Sequence, residues 1–338
     1  MQGKDGWTLT TKEQVRLELE RAGGSFLSGA QLARQLGVSR NAVWKAVQAL
    51  EKEGVPMEAI PNRGYAMIPA KQGLSASGIY GHLSDPQAFT LHVHDTVTST
   101  NTLVRELAQQ DAPEGTVVLA NAQTAGKGRC GRTFYSPSRS GMYMSLLLRP
   151  KMPVEETLFI TAAAAVAVSE AIDATAQMHT QIKWVNDIYL QERKVCGILT
   201  EAALDLENGM LRYAVLGIGV NLTPPAGGFP PELSGIAGSL FPEDGIPDCF
   251  ADKLAAGVLS AFDARYKALP SHDFLSRYRE RSMLTGRPVT VVQGEREQDA
   301  LVLGIDDGCR LLVRYPDGRE DVLSSGEVRI RPHLGENH

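Results

Sequence analysis

The period of the apolar pattern changes twice along this chain, and that change constrains the fold more than any other feature. Up to about residue 69, apolar side chains recur at helical spacing, then give way to two short extended runs around Pro61-Asn62-Arg63-Gly64. From about 75 to 285, strand-like runs alternate with helical ones, and from about 286 only strands and turns remain. One bundle, one barrel or one repeated unit cannot produce three periods in series. The expected class is α+β in three units: 1–69, 75–285 and 286–338. Residues 69–75 and Thr285-Gly-Arg-Pro288 punctuate the chain at the two boundaries.

Composition narrows the functional classes. The net charge is −5, so any contact with a polyanion must come from a local patch. The four cysteines, Cys130, Cys196, Cys249 and Cys309, are far apart and form no CxxC pair. That argues against a zinc site or a disulfide framework and fits a reducing cytoplasm. The N-terminus has no apolar signal core. The most apolar run, Thr161 to Val168, is mostly alanine and reads as a buried helix, too short for a bilayer. A cytoplasmic protein with no membrane partner is expected.

The first unit reads as a winged helix-turn-helix. One helix spans about Thr11 to Ala22. Ser28 caps a second, carrying Leu32, Ala33 and Leu36. After Gly37, Ser39 caps a third that ends near Gly54. On that third helix Val43, Val47 and Leu50 share one face; Arg40, Asn41, Trp44, Lys45 and Gln48 share the other. The latter are side chains that reach base edges and phosphates, and Arg63 stands at the wing tip. Ser39, Arg40, Asn41, Trp44, Lys45, Gln48 and Arg63 are the candidate DNA contacts. A small dimerisation module is the competing reading.

The densest signal in the middle unit is Gln123-Thr-Ala-Gly-Lys-Gly-Arg-Cys-Gly-Arg132, which follows a strand-like run. Its three glycines let the backbone wrap a ligand, and Lys127, Arg129 and Arg132 suit a phosphate or carboxylate. The loop is not a P-loop, because no GxxxxGK[ST] is present, and it is a poor dinucleotide fingerprint, because it leads into loop rather than helix. On its own it is equally an anion site or a solvated basic turn. Thr98-Ser-Thr-Asn101 opens a helix with a hydroxyl at its capping end. Lys183-Trp-Val-Asn-Asp187 precedes a strand, Arg193-Lys-Val-Cys-Gly-Ile-Leu-Thr-Glu201 follows a tight turn, and Val215-Leu-Gly-Ile-Gly-Val-Asn221 reads as a buried strand.

These five stretches, in this order, resemble the biotin protein ligase family, and the resemblance covers nearly the whole chain. The N-terminal winged helix resembles the family's bifunctional branch, the biotin operon repressors. The resemblance implies a winged helix, a biotin/lipoate-ligase-like central α/β domain with a mixed sheet, and a small SH3-like β-barrel near the active site. It implies that biotin and ATP give biotinyl-5′-adenylate with Mg²⁺. A lysine of the biotin carboxyl carrier protein of acetyl-CoA carboxylase then takes the biotinyl group. It also implies repression through operator DNA, with biotinyl-5′-adenylate as corepressor of a homodimer.

Site residues follow from the same resemblance. Ser99, Thr100, Asn101, Gln123, Gly126, Lys127, Gly128, Arg129, Lys194 and Gly197 are matched to the biotin pocket. Arg129, Arg132, Asn186, Lys194, Gly217, Gly219 and Asn221 fall on the nucleotide side. Lys183, Asp187, Lys194 and Arg129 are the catalytic candidates, with Asp187 also a magnesium ligand and the group that orients or deprotonates the acceptor lysine. The chemistry agrees: two anions must be brought together, so cations are required.

Val185 stands where the family has proline, Lys127 where arginine is common, and Cys130 where a basic or apolar residue is usual. Lysine keeps the charge and loses the bidentate fork. A lipoate-type ligase and a ligand-sensing transcription factor without ligase activity are the alternatives. His92 and His94 read as one exposed strand face rather than a metal site. Trp184 reads as a wall aromatic and the C-terminal barrel as a stabilising cap.

Overall fold

The computed structural model describes residues 10–53, 55–68, 73–205, 209–243, 245–293 and 296–330. Gly54, expected to stop the third helix, and residues 69–72 of the first expected linker lie outside them.

Helices α1 (Thr11–Arg21), α2 (Gly29–Leu36) and α3 (Arg40–Lys52) precede a hairpin of β1 (Met57–Ile60) and β2 (Gly64–Met67). Thr10 and Glu13 form a reciprocal capping box on α1, and the Ser28 and Ser39 hydroxyls accept from Gln31 N and Ala42 N. Gly37 ends α2 in the left-handed region. Val15, Leu19, Leu32, Val43, Val47 and Leu50 close a core of their own.

The middle unit opens with α4 (Ala76–Tyr80), β3 (Thr90–Val97), α5 (Thr100–Gln109), β4 (Thr116–Gln123) and β5 (Gly141–Leu148). Then follow α6 (Thr157–Ala176), β6 (Gln181–Lys183), β7 (Asp187–Leu190), β8 (Arg193–Leu204) and β9 (Leu211–Asn221). Helices α7 (Pro231–Ser234), α8 (Phe250–Lys267) and α9 (Phe274–Glu280) complete it. Its sheet runs β3-β4-β5-β9-β8-β7-β6. Only β3 and β4 are parallel, so the sheet is mixed, as expected. Helix α5 covers one face; α6 and α8 cover the other.

Helix α6 is longer than the alanine run suggested. The segment Val154–Ala176 is long and apolar enough to cross a membrane, yet 72% of its most apolar stretch is buried inside the protein. Its alanines let α8 and the sheet approach closely, which is how a core helix reads.

The last strands are β10 (Pro288–Gln293), β11 (Arg296–Ile305), β12 (Leu311–Arg314), β13 (Glu320–Leu323) and β14 (Glu327–Ile330). They pair antiparallel in the order β13-β12-β11-β10-β14 around Val289, Val291, Val302, Leu311 and Val313. The Trp184 indole N–H donates to Cys309 O at 2.8 Å, tying this unit to the middle one.

Candidate functional site

The carboxyl ends of β3 and β4, the outset of α5 and the turns around β6–β8 converge on one cleft of about 560 Å³. Ser99, Thr100, Asn101, Gln123, Lys127, Gly128, Arg129, Arg132, Lys183, Asn186, Asp187, Lys194, Gly197, Gly217, Gly219 and Asn221 all line it, so residues up to 122 positions apart are brought together. Gly126 sits behind this wall. A Cβ there would lie 2.4 Å from Phe134 O, which explains the glycine by packing rather than ligand approach.

One end of the cleft is polar and buried. Ser99 is the N-cap of α5, and its hydroxyl makes no cap hydrogen bond. Thr100 N–H donates to Gln123 Oε1 at 2.8 Å, and Gln123 Nε2 donates to Ser136 Oγ at 2.9 Å. Gln123 is therefore oriented before any ligand arrives. Asn101, which lines the cleft, is also held by two side-chain hydrogen bonds. Its Nδ2 donates to Glu201 Oε2 at 2.7 Å and its Oδ1 lies 2.6 Å from Ser145 Oγ. A Cβ on Gly217 would fall 2.1 Å from Asn101 Oδ1, so that glycine makes room for the amide. Gly197 and Gly219 likewise leave room for the Phe134 ring, 2.9 and 2.5 Å from where their Cβ atoms would stand.

The other end is cationic. Lys194 Nζ lies 2.7 Å from Asp187 Oδ1. That oxygen is buried and no hydrogen bond reaches it, so the ion pair is off the hydrogen-bonding direction. Lys183 Nζ stands 5.7 Å from the Tyr189 ring centroid, and burial holds its pKa below the usual lysine range. Arg129 Nη1 donates to Asn186 Oδ1 at 2.9 Å, while Asn186 Nδ2 donates to Ile198 O at 2.8 Å. Arg132 is less central than expected: it leans out to hydrogen-bond Glu327 of β14, and that contact lowers the Glu327 pKa. Asn221 Nδ2 donates to Gly238 O at 2.9 Å and braces the loop after β9. The Trp184–Val185 peptide bond, where the family has proline, is cis.

The C-terminal unit does more than cap. Residues 326–330 form part of the cleft wall. Ser136, Phe134, Ser145, Glu201 and Glu327 also escaped the sequence reading. Only Ser145 carried a signal, as the one serine in the apolar run of β5. His92 and His94 lie on β3 and are exposed. Among the described residues no group of three or more His, Cys, Asp or Glu side chains could hold a metal.

On the winged helix, Arg40, Asn41, Lys45 and Gln48 are exposed and Trp44 is 52% exposed. The Ser39 hydroxyl is spent on capping. Gln48 Nε2 donates to Glu51 at 2.9 Å, and Arg63 is held 4.3 Å over the Phe26 ring.

A polar pocket opening onto lysines and an arginine thus lies on a mixed sheet, in a chain that opens with a winged helix. Family comparison specifies it further. Residues 93–221 match the Biotin/lipoate A/B protein ligase family, 11–66 a helix-turn-helix domain, and 284–331 the biotin protein ligase C-terminal domain. The chain is 40% identical over 325 residues to the bifunctional ligase/repressor BirA of Bacillus subtilis (strain 168), covering 93% of this chain and 97% of the relative. It is 37% identical over 325 residues to that of Bacillus spizizenii, with the same coverage. The solved biotin protein ligase from Aquifex aeolicus in complex with biotin and ATP superposes with a TM-score of 0.57 at 26% identity, over 72% of this chain and 98% of that one. The chain belongs to the biotin protein ligase family, in its bifunctional ligase/repressor branch.

Proposed function

We propose that this protein is a biotin–[acetyl-CoA-carboxylase] ligase and a biotin-responsive repressor. A carboxylate oxygen of biotin attacks the α-phosphorus of ATP and pyrophosphate leaves. The ε-amine of the carrier-protein lysine then attacks the acyl carbon of biotinyl-5′-adenylate, expelling AMP. The observation that carries this reading is one cleft with a buried polar end, Ser99, Thr100 and Gln123, and a cationic end, Lys183, Lys194 and Arg129. The polar end suits the ureido ring; the cations offset the repulsion of carboxylate and phosphate. Lys194, beside Asp187, is the cation for the mixed anhydride, and Arg129, braced by Asn186, closes the cleft over it.

The buried Asp187 Oδ1, ion-paired with Lys194 and without a hydrogen bond, fits a magnesium site of the open kind, in which one carboxylate acts with substrate phosphates and water. The ion, when bound, would neutralise phosphate charge. The same carboxylate orients the acceptor amine, and the rest of the cleft excludes water from the anhydride.

The winged helix, in this reading, binds operator DNA through α3 and Arg63. A homodimer formed with biotinyl-5′-adenylate sets the half-site spacing. The units are 1–69, 75–285 and 286–338. A cytoplasmic location is supported by the reduced thiols of Cys130, Cys196 and Cys309.

Exchange of labelled pyrophosphate into ATP tests the first half-reaction. Exchange should depend on biotin; dependence on lipoate instead would favour the lipoate-type reading, and none with either would favour a ligand sensor. For the repressor half, the full chain with biotin and ATP should retard a fragment of its own biotin-gene promoter. Failure to retard any such fragment would remove that half.

A further inference from the structure

The stretch from Lys183 to Asp187 joins β6 to β7 and carries Lys183, Asn186 and Asp187 into the cleft. Trp184 and Val185 between them are buried. What holds this turn comes from late in the chain. Ile182 N–H donates to Arg281 O at 2.7 Å and Met283 N–H donates to Ile182 O at 3.0 Å, so the segment after α9 runs beside β6. The Trp184 indole is fixed on Cys309 O. From α9 itself, the Tyr278 hydroxyl donates to Val185 O at 2.9 Å. Tyr278 is fully buried and stands behind the cleft rather than in its wall. Burial pushes its pKa well above the usual tyrosine value, so the phenol remains a donor.

This contact reaches the cleft through one peptide plane. Val185 C=O and Asn186 N–H belong to the same planar unit, so fixing that carbonyl fixes how the chain enters Asn186. On its far side Asn186 is clamped to β8. Ile198 N–H donates to Asn186 O at 2.9 Å, and Asn186 Nδ2 donates to Ile198 O at 2.8 Å. With its backbone and Nδ2 both committed, Asn186 is left facing the glycine loop with Oδ1, where Arg129 Nη1 donates to it at 2.9 Å. Among the described residues the Arg129 guanidinium has no other hydrogen-bond partner. A buried carbonyl that loses its donor is costly, and the chain moves to relieve it. Without the Tyr278 hydroxyl the Val185 peptide is free to rotate, which carries Asn186 Oδ1 off the line of Arg129.

We infer that Tyr278 is a positioning residue for retention of the acyl-adenylate: its hydroxyl, through the Val185 peptide and Asn186, holds Arg129 over the cleft. This rests on the biotin-ligase reading, in which Arg129 closes the cleft on that intermediate. It gives α9 a part in the reaction although its tyrosine touches no substrate. The polar end of the cleft, Ser99, Thr100 and Gln123, shares no contact with this relay, so biotin affinity is independent of it.

The test is the rate at which biotinyl-5′-adenylate, formed on the enzyme from labelled biotin and ATP, is lost to an unlabelled chase. It uses full-length wild type, Tyr278→Phe, Asn186→Ala, Arg129→Ala and the double variant Tyr278→Phe/Arg129→Ala, with Tm recorded for each. Tyr80→Phe is the control, since the Tyr80 hydroxyl is likewise on a buried side chain, donates to Phe89 O at 3.2 Å and lies away from the cleft wall. Tyr278→Phe should release the adenylate about tenfold faster, the scale of one net hydrogen bond. Asn186→Ala, which cuts the same relay one residue on, should release it at least as fast. The Kd for biotin of Tyr278→Phe should stay within twofold of wild type. Tyr80→Phe should keep the wild-type release rate whatever its Tm, whereas a merely structural role makes release follow Tm in both tyrosine variants. In the Arg129→Ala background Tyr278→Phe should add less than twofold, because Arg129 is the group it acts through; independent effects would multiply. Release within twofold of wild type by Tyr278→Phe or Asn186→Ala, or multiplied effects in the double variant, overturns the inference. A wild type that binds biotin and ATP yet forms no adenylate would overturn the ligase reading itself, and the inference with it.

Discussion

Replacing Lys194 with Met removes the cation beside Asp187 while keeping an unbranched side chain of similar reach. At 2.7 Å and an effective dielectric of ~20, the gross attraction of the pair is ~6 kcal/mol. Both side chains keep partial contact with solvent, and most of that attraction is cancelled by desolvation of the two charges. The net change in folding stability should therefore stay below about 2 kcal/mol. The catalytic consequence is larger. In the proposed reaction Lys194 faces the charge that develops between carboxylate and α-phosphate, and losing one such preorganised group typically costs about 10²–10³-fold in rate. Single-turnover formation of biotinyl-5′-adenylate, measured by quench flow beside a urea titration, separates the two effects. Lys194→Arg should restore the charge and recover only part of the rate, because the bulkier guanidinium does not fit where Nζ packs against Gly197. Adenylate formation by Lys194→Met within threefold of wild type would show that the lysine plays no part in activation.

Three further outcomes follow from other contacts. Asp252 is fully buried, accepts from Ser75 N and Oγ, and burial raises its pKa to about 6. The folded state then binds the extra proton between about pH 4 and 6, so stability falls as pH rises through that window, by at most ~3 kcal/mol. Asp252→Asn should flatten that part of the stability profile in urea titrations, and an unchanged slope would contradict the assignment. Gly217→Ala should displace Asn101, costing about 1–3 kcal/mol by overpacking and weakening biotin binding in calorimetry; biotin affinity equal to wild type would contradict the contact. Lys45→Ala should lower the slope of log K against log salt for promoter DNA by about 0.9 if it meets a phosphate; a uniform loss at constant slope would rule that contact out.

The parts of the fold legible in the sequence are those decided locally. The caps Ser28 and Ser39, the left-handed Gly37 and the buried stripe Val43, Val47 and Leu50 are written within a few residues of one another, and each lies where the sequence put it. The motifs also located the cleft, because glycines, lysines and hydroxyls cluster in short stretches. What pairs across strands was not legible. Nothing near Asn101 in the sequence says that Glu201, a hundred positions later, takes up its amide, or that Gly217 is small to admit it. Nor does Arg132 reveal that Glu327 draws it to the rim. Those partners arise from the register of β5, β8 and β9 and from the seat of the last sheet, which sequence spacing does not encode.

Transfer of biotin to protein is the reaction that most directly tests the ligase assignment. Full-length enzyme, labelled biotin, ATP and Mg²⁺ should biotinylate a single lysine of the biotin carboxyl carrier domain, located by peptide mass spectrometry. Omission of ATP, or substitution of that lysine, should abolish the label. A carrier domain left unlabelled under conditions in which the same preparation binds biotin would contradict the account.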